Sequence, residues 1–405
     1  MNTNTMHLQF GTGLHTVNGK SCKRYRLTAI VLISLLGVFT IGTARSAVFE
    51  TDKFRITADF RLRMEQDWDS QDSSGVDRDD RARARVRARV GMDYQADDNF
   101  SFGVRLRSGS DDSQQSPHIT IADFNSNDTG DADFNFDQWY LKGKTGKLWG
   151  WAGRNSFPFW KPNEMFWDDD VTPAGLAGGY KTALNDKTSI AFNMGYFSLP
   201  AGMKNFSGNL AAGQIVLNTR MADTGITAAA GWFGIDADVD DPDNAIYLQN
   251  NGMRDYSIWV VNLQAKMKAG GRPLSLGADY MHNTEDYNAA DLVGASAGVD
   301  AGDTDGYVVY ALYGSLKNKG EWLAGYYYAH IEEFAVNNSF AQDDWVRWGN
   351  ATQTRGSNIK GHELRGAYAF AKNINLVGRL YLVEAVSDNN QEDGNRFRLD
   401  LNIKF

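Results

Sequence analysis

Residues Asp80–Tyr94 read DRARARVRARVGMDY. Arg81, Arg83, Arg85, Arg87 and Arg89 take every second position, with Ala82, Ala84, Val86, Ala88 and Val90 between them. On an α-helix, positions two apart spread around the cylinder, and five arginines so placed leave no apolar stripe to bury. On a strand all five share one face and the small apolar side chains share the other. If the arginine face met lipid, each Arg near the midplane would cost about 2–4 kcal/mol, so the row would cost on the order of 10 kcal/mol. The parity is therefore decided: arginines face water in an interior, and Ala82 to Val90 face hydrocarbon.

The same alternation continues on both sides. Phe54, Ile56, Ala58, Phe60 and Leu62 alternate with Arg55, Thr57, Asp59, Arg61 and Arg63. Beyond a tight turn at Ala96–Asn99, Phe100, Phe102, Val104 and Leu106 alternate with Ser101, Gly103, Arg105 and Arg107. At the far end Phe397, Leu399, Leu401, Ile403 and Phe405 alternate with Arg398, Asp400, Asn402 and Lys404. Sixteen such segments are predicted between 52–64 and 394–405, and their connections alternate strictly. Seven are turns of a few residues; eight are long and rich in Asp, Asn, Ser and Gly, such as 110–133, 236–254, 284–303 and 333–355. An even strand number, short turns at one end and long loops at the other predict an all-β transmembrane antiparallel barrel. About sixteen strands are expected, with eighteen as the alternative, short turns in the periplasm and long loops outside. A barrel of that width holds an aqueous pore. A soluble propeller or sandwich is the competing reading, but it would bury one strand face in a core and does not require this rhythm of connections.

By parity Arg61, Arg63, Arg105 and Arg107 join the row, giving a basic wall on the first three strands. Like charges directly across a strand pair destabilise it, so the wall needs water, counter-charge or a bound anion. Asp59, Asp93 and Asp400 are the expected counter-charges, against a large local excess of arginine. The opposing charge is expected in the third long loop, whose stretch Asn155–Gly179 reads NSFPFWKPNEMFWDDDVTPAGLAGG. Glu164, Asp168, Asp169 and Asp170 lie there among Phe157, Phe159, Trp160, Phe166 and Trp167. So many large rings in a loop call for burial. Folded into the barrel, the loop would set acids opposite arginines across a narrow eyelet, the charged-ring basis of selectivity.

The chain has 405 residues, 42% hydrophobic, too polar for a helical membrane protein. One apolar run, Leu27–Ile41, follows Lys20, Lys23, Arg24 and Arg26 and precedes Ala44 and Ser46. This is the pattern of a secretory signal peptide. We expect cleavage after Ser46, with 1–46 the signal, 47–405 a single barrel domain, and Met6 an alternative start. Cys22, the only cysteine, leaves with the signal, so no disulfide or thiolate chemistry is expected. The five Lys/Arg of 1–46 leave as well, taking the formal charge from −9 to −14. An exported acidic chain argues against nucleic acid as a partner and suits a surface bathed in outer-membrane lipid.

Two stretches carry a resemblance. DRARARVRARVGMDYQADDNFSFGVRLRSG (80–109) and GRNSFPFWKPNEMFWDDDVTPAGLAGGYK (153–181) resemble a family of porins from the outer membrane of gram-negative bacteria. The resemblance covers mainly residues 80–180, and DDSQQSPHITI after Gly109 departs from its pattern. It implies a homotrimeric barrel, passive diffusion of small hydrophilic solutes, and contact with lipopolysaccharide. A final amphipathic strand ending in Phe, here Phe405, resembles the signal read by the outer-membrane assembly machinery.

Catalytic and metal constellations are not evident. There is no H-E-x-x-H, and His118, His282, His330 and His362 are scattered. The run DADVDDPDN at 236–244 lacks the Gly and Glu of a calcium loop and reads as solvated. Neither cofactor nor metal is expected. The leading expectation is a water-filled channel. The alternatives are a substrate-specific channel for anions or oligosaccharides, and, as a different class, a barrel adhesin or enzyme. No Ser/His/acid set shares one face to support an enzyme.

Overall fold

The arginine row is a strand, and so is almost every other regular segment. The structure, a computed structural model, describes residues 51–72, 74–125, 133–238, 240–241, 250–292, 298–345, 356–387 and 392–405. The expected signal peptide lies outside the described residues, as does part of the acidic run at 236–244.

Seventeen strands follow one another: β1 (Phe54–Trp68), β2 (Arg81–Gln95), β3 (Phe100–Ser108), β4 (Ile119–Asp123), β5 (Phe134–Thr145), β6 (Leu148–Arg154), β7 (Ala174–Ala183), β8 (Thr188–Ala201) and β9 (Asn205–Met221). They continue with β10 (Thr224–Asp236), β11 (Tyr256–Ala269), β12 (Arg272–Asn283), β13 (Asp305–Gly314), β14 (Trp322–Ile331), β15 (Ile359–Ala371), β16 (Ile374–Ala385) and β17 (Gly394–Lys404). Sixteen form a closed antiparallel wall in which β1 pairs with both β2 and β17. Closure leaves no free edge, so the strands satisfy one another's backbone groups around the ring, and where the ladder breaks a side chain substitutes, as Ser108 does in accepting from the Ala88 N–H at 2.8 Å. The seventeenth, β4, is a short piece of the second long loop. It pairs with Arg83–Val86 of β2, above the stretch Arg89–Gln95 that pairs with β3.

The segments read from the sequence at 187–197 and 211–222 leave the interval 198–210 as one of the eight long connections, but the interval is mostly strand: β8 and β9 extend to the pair Ala201↔Asn205. Leu199, Ala201 and Met203 are buried there, and Gly202 supplies the positive φ, 77°, that the tight turn needs. Side-chain parity follows the alternation throughout. Val90, Phe100, Phe102, Leu106, Trp139 and Leu141 are exposed on the outer face, while Arg63, Glu65, Arg83, Arg85, Arg107, Arg398 and Asp400 are buried on the inner face.

The interior also holds apolar material, unusual for a wide barrel. Phe159, Met165, Phe166 and Trp167 of the 155–173 loop pack with Phe197, Phe233, Ile258 and Val260 of the wall and with Phe340, Ala341 and Trp345 of the connection between β14 and β15, the seventh loop when 198–210 is counted as the fourth. Phe157 stacks on Trp167 at 4.3 Å, and Trp167 stacks on Phe340 at 5.3 Å. The sequence places the aromatic rings; the ring they rest on lies in a loop some 170 residues away.

Candidate functional site

The third loop is held by its backbone as well as its rings. Gln214, on β9, clamps Trp160, accepting from its N–H at 2.8 Å and donating to its carbonyl at 2.7 Å. Asn163 donates to Asp279 of β12, which also accepts from Asn262 at 2.9 Å. These contacts turn the acidic end, Glu164 to Asp170, toward β1, β2 and β17. The seventh loop completes the arrangement: the Asp168 N–H donates to the Phe340 carbonyl, and the Gln342 N–H donates to the Glu164 carbonyl. Gln114 and Gln115, from the second loop, donate to the carbonyls of Ser339, Asn338 and Ala341. Three loops are thus knitted together by main-chain acceptors.

Between these loops and the wall lies a cavity of about 430 Å³. Its cationic side comprises Arg61, Arg87 and Arg89 from β1 and β2, Arg365 and Arg379 from β15 and β16, and Lys404 from β17, with Glu363 of β15 between Arg365 and Arg379. Its anionic side comprises Glu164, Asp168, Asp169 and Asp170, with Asp343 and Asp344 from the seventh loop. Asp170 bridges the two: Arg89 Nη1 lies 2.6 Å from its Oδ1 and Arg87 Nη1 lies 3.7 Å from its Oδ2. Arg107 donates to its carbonyl at 3.2 Å.

The nine arginines of the sequence reading divide into two groups. Arg61, Arg87 and Arg89 line the cavity. The other six are engaged elsewhere. Arg63 pairs with Asp400 at 2.7 Å, Arg81 with Asp123 at 2.7 Å, and Arg83 with Glu65. Arg85 lies 3.6 Å from Glu65 and donates to the His118 carbonyl at 3.2 Å. Arg105 forks onto Asp137, and Arg107 holds the carbonyls of Ser113 and Gln114. The wall is therefore far better compensated than its composition suggests. Of the expected counter-charges, Asp59 serves Arg87 and Arg89, and Asp400 serves Arg63 and Arg379. Asp93 instead accepts the Tyr140 hydroxyl. Like charges do face each other directly at Arg61↔Arg87 and Arg63↔Arg85, and carboxylates beside them offset the repulsion: Asp59 takes Arg87 diagonally, Glu65 lies by Arg85, and Asp400 takes Arg63 from β17.

The loop acids divide as well. Burial and neighbouring Asp169 push the Glu164 carboxyl up to about 8. Burial and Glu164 raise Asp168 likewise. Burial would also raise Asp170, but Arg89, Arg87 and Arg107 hold it below the usual carboxylate range. Asp344 is held low against burial by Arg398 and Arg63. Arg365, Arg379 and Asp344 escaped the sequence reading. The signal for Asp344 was present: Gln342–Trp345 reads QDDW, an acid pair beside a ring, as in FWDDD of the third loop. Phe405 sits at the closure, its N–H donating to the Ala58 carbonyl at 2.8 Å and its ring 39% exposed.

No curated protein matches the sequence. Among solved structures, OprB of Pseudomonas putida at high pH is 14% identical, covering 87% of this chain and 94% of its own, with a TM-score of 0.55. OmpF of Salmonella typhi, solved in complex with daunomycin, is 12% identical, covering 88% and 100%, with a TM-score of 0.51. At these identities the likeness shows the fold. The model of the family described as "Putative porin" matches residues 74–223 and 237–405, and the chain belongs to this family of outer-membrane porins.

Proposed function

We propose that the chain forms a water-filled channel for passive diffusion of small hydrophilic or charged solutes, with Arg61, Arg87 and Arg89 facing the acids of the third loop across its narrowest part. The observation that carries this reading is the cavity itself. Five arginines and Lys404 line one side, with Glu363 among them, and six carboxylic side chains with Lys161 line the other, the arrangement by which charged rings select ions. The same reading places the short turns in the periplasm, makes residues 1–46 a cleaved signal, and makes Phe405 the assembly signal. It also sets the outer surface among lipid and lipopolysaccharide, with a homotrimer as the assembly. A channel of this kind has no need of catalytic groups, cofactor or metal.

A substrate-specific channel is the second reading, favoured by Tyr327, Trp345 and Tyr381 on the same cavity, since aromatic faces suit sugar rings. Reversal potentials in a salt gradient across a planar bilayer test the first. Arg87→Ala/Arg89→Ala is expected to shift the current toward cations by roughly several-fold in permeability ratio. A folded barrel with no conductance sinks the channel reading. Unchanged selectivity in the double variant removes these arginines from the narrow part.

A further inference from the structure

At the short-turn end the charge balance differs. A second hollow of about 360 Å³ opens between β8, β9, β10 and β11. Three cations line it: Lys187 in the turn after β7, Arg220 near the end of β9, and Lys266 on β11. Asp186 is its only acid. Parity turns Arg220 and Lys266 inward: Gln214 and Val216 are buried while Ile215 and Leu217 are exposed, and Asn262 and Gln264 are buried while Val261 and Leu263 are exposed. Among the described residues none of the three cations forms an ion pair, in contrast to the arginines of the larger cavity. Between them stand Asn218 and Thr227, whose hydroxyl donates to the Asn218 amide oxygen at 2.9 Å. The hollow is open at Gly225, where an added Cβ would meet nothing nearer than 3.9 Å.

We propose that this hollow is a binding site for a phosphate-bearing, hydroxylated small solute, the class to which sugar phosphates belong. Three unpaired cations against one carboxylate suit a doubly charged oxyanion, because charge-assisted hydrogen bonds to phosphate are the strong ones. The amide of Asn218 and the hydroxyl of Thr227 provide donors and acceptors for hydroxyl groups. The site stands apart from the charged cavity and does not depend on the channel reading.

Equilibrium dialysis of the purified, folded chain in detergent micelles against glucose 6-phosphate tests it, without any need for conduction. Saturable binding is expected, with glucose alone not retained. Arg220→Gln/Lys266→Gln should weaken binding about tenfold. Lys147→Gln, on the same rim but outside the hollow, should leave it unchanged. Should the double variant fail to form the barrel, Lys187→Gln probes the same charge from the turn. No binding by the wild type, or full binding by the charge variants, overturns the proposal. An equal loss in Lys147→Gln overturns it too, because a diffuse basic rim would then be the cause. Inorganic phosphate binding as tightly as glucose 6-phosphate overturns the role given to Asn218 and Thr227.

Discussion

Two segments enter the barrel with nearly the same signature, FWDDD at Phe166–Asp170 and QDDW at Gln342–Trp345, yet their main anchors differ. The third loop is anchored by rings: Trp167, 1% exposed, lies between Phe157 and Phe340. The seventh is anchored by charge: Asp344 reaches Arg398 and, at 3.6 Å, Arg63, while Arg396 donates to its carbonyl at 3.0 Å. The acids respond accordingly. Where arginines outnumber carboxylates, as around Asp344, the charged form is held despite burial. Where carboxylates crowd one another, as at Glu164 and Asp168, burial wins and protons are retained. Depth raises each of these carboxyls, and the number of arginines within reach decides whether the charged form survives it.

That contrast can be broken at either anchor. Trp167→Ala removes the stacked ring of the third loop and should cost about 4 kcal/mol, seen as a lower urea midpoint in micelles. Asp344→Ala leaves buried Arg63 and Arg398 short of one carboxylate and should cost about 3 kcal/mol by the same assay. If Asp344→Ala instead costs less than a surface pair, charge does not anchor the seventh loop. A smaller effect sharpens the electrostatic half. Glu164, with its carboxyl near 8, is neutral below that pH and anionic above it, so raising the pH from about 6 to about 9 should add a negative charge to the cavity and move selectivity toward cations. Glu164→Gln should flatten that shift in reversal potential. The smallest effect is expected at the rim: Arg81, whose side chain is 48% exposed, pairs with Asp123, and Arg81→Ala should change stability by no more than about 0.5 kcal/mol.

Most of the architecture was legible in the sequence because barrel strands are governed by a local rule. Parity is set by the pleat, and the cost of an arginine in lipid settles which face is which. The alternation of turn lengths supplied the strand count. What stayed hidden depends on closure. Asp400 is expected as a counter-charge although it lies 337 positions from Arg63, but the row Arg365–Arg379–Arg398–Glu65–Arg83 forms only when β17 meets β1. The cavity's second acidic segment was hidden for the same reason. Phe340 and Asp344 could be seen as buried types, but not as neighbours of Trp167 and Arg63. The strands of the 198–210 interval run past the segments expected at 187–197 and 211–222 because Leu199 and Met203 find cover inside the barrel.

The pairing of β1 with β17 has a consequence for how the sheet closes. Along that junction the inner-face partners are Asp59↔Lys404, Arg61↔Asn402, Arg63↔Asp400, Glu65↔Arg398 and Asp67↔Arg396. No like charges meet. A slide of two residues one way sets Glu65 against Asp400 and Arg61 against Lys404; the other way sets Arg63 against Arg398. A slide of one would turn every charge to the lipid. Along the β1–β2 hairpin, by contrast, Arg61↔Arg87 and Arg63↔Arg85 are like pairs, in a place where the flanking strands are already joined through the chain. The complementary order lies where nothing but side chains can fix alignment, so the seam behaves as a keyed zipper that admits one offset and thereby sets the shear, tilt and bore of the whole cylinder.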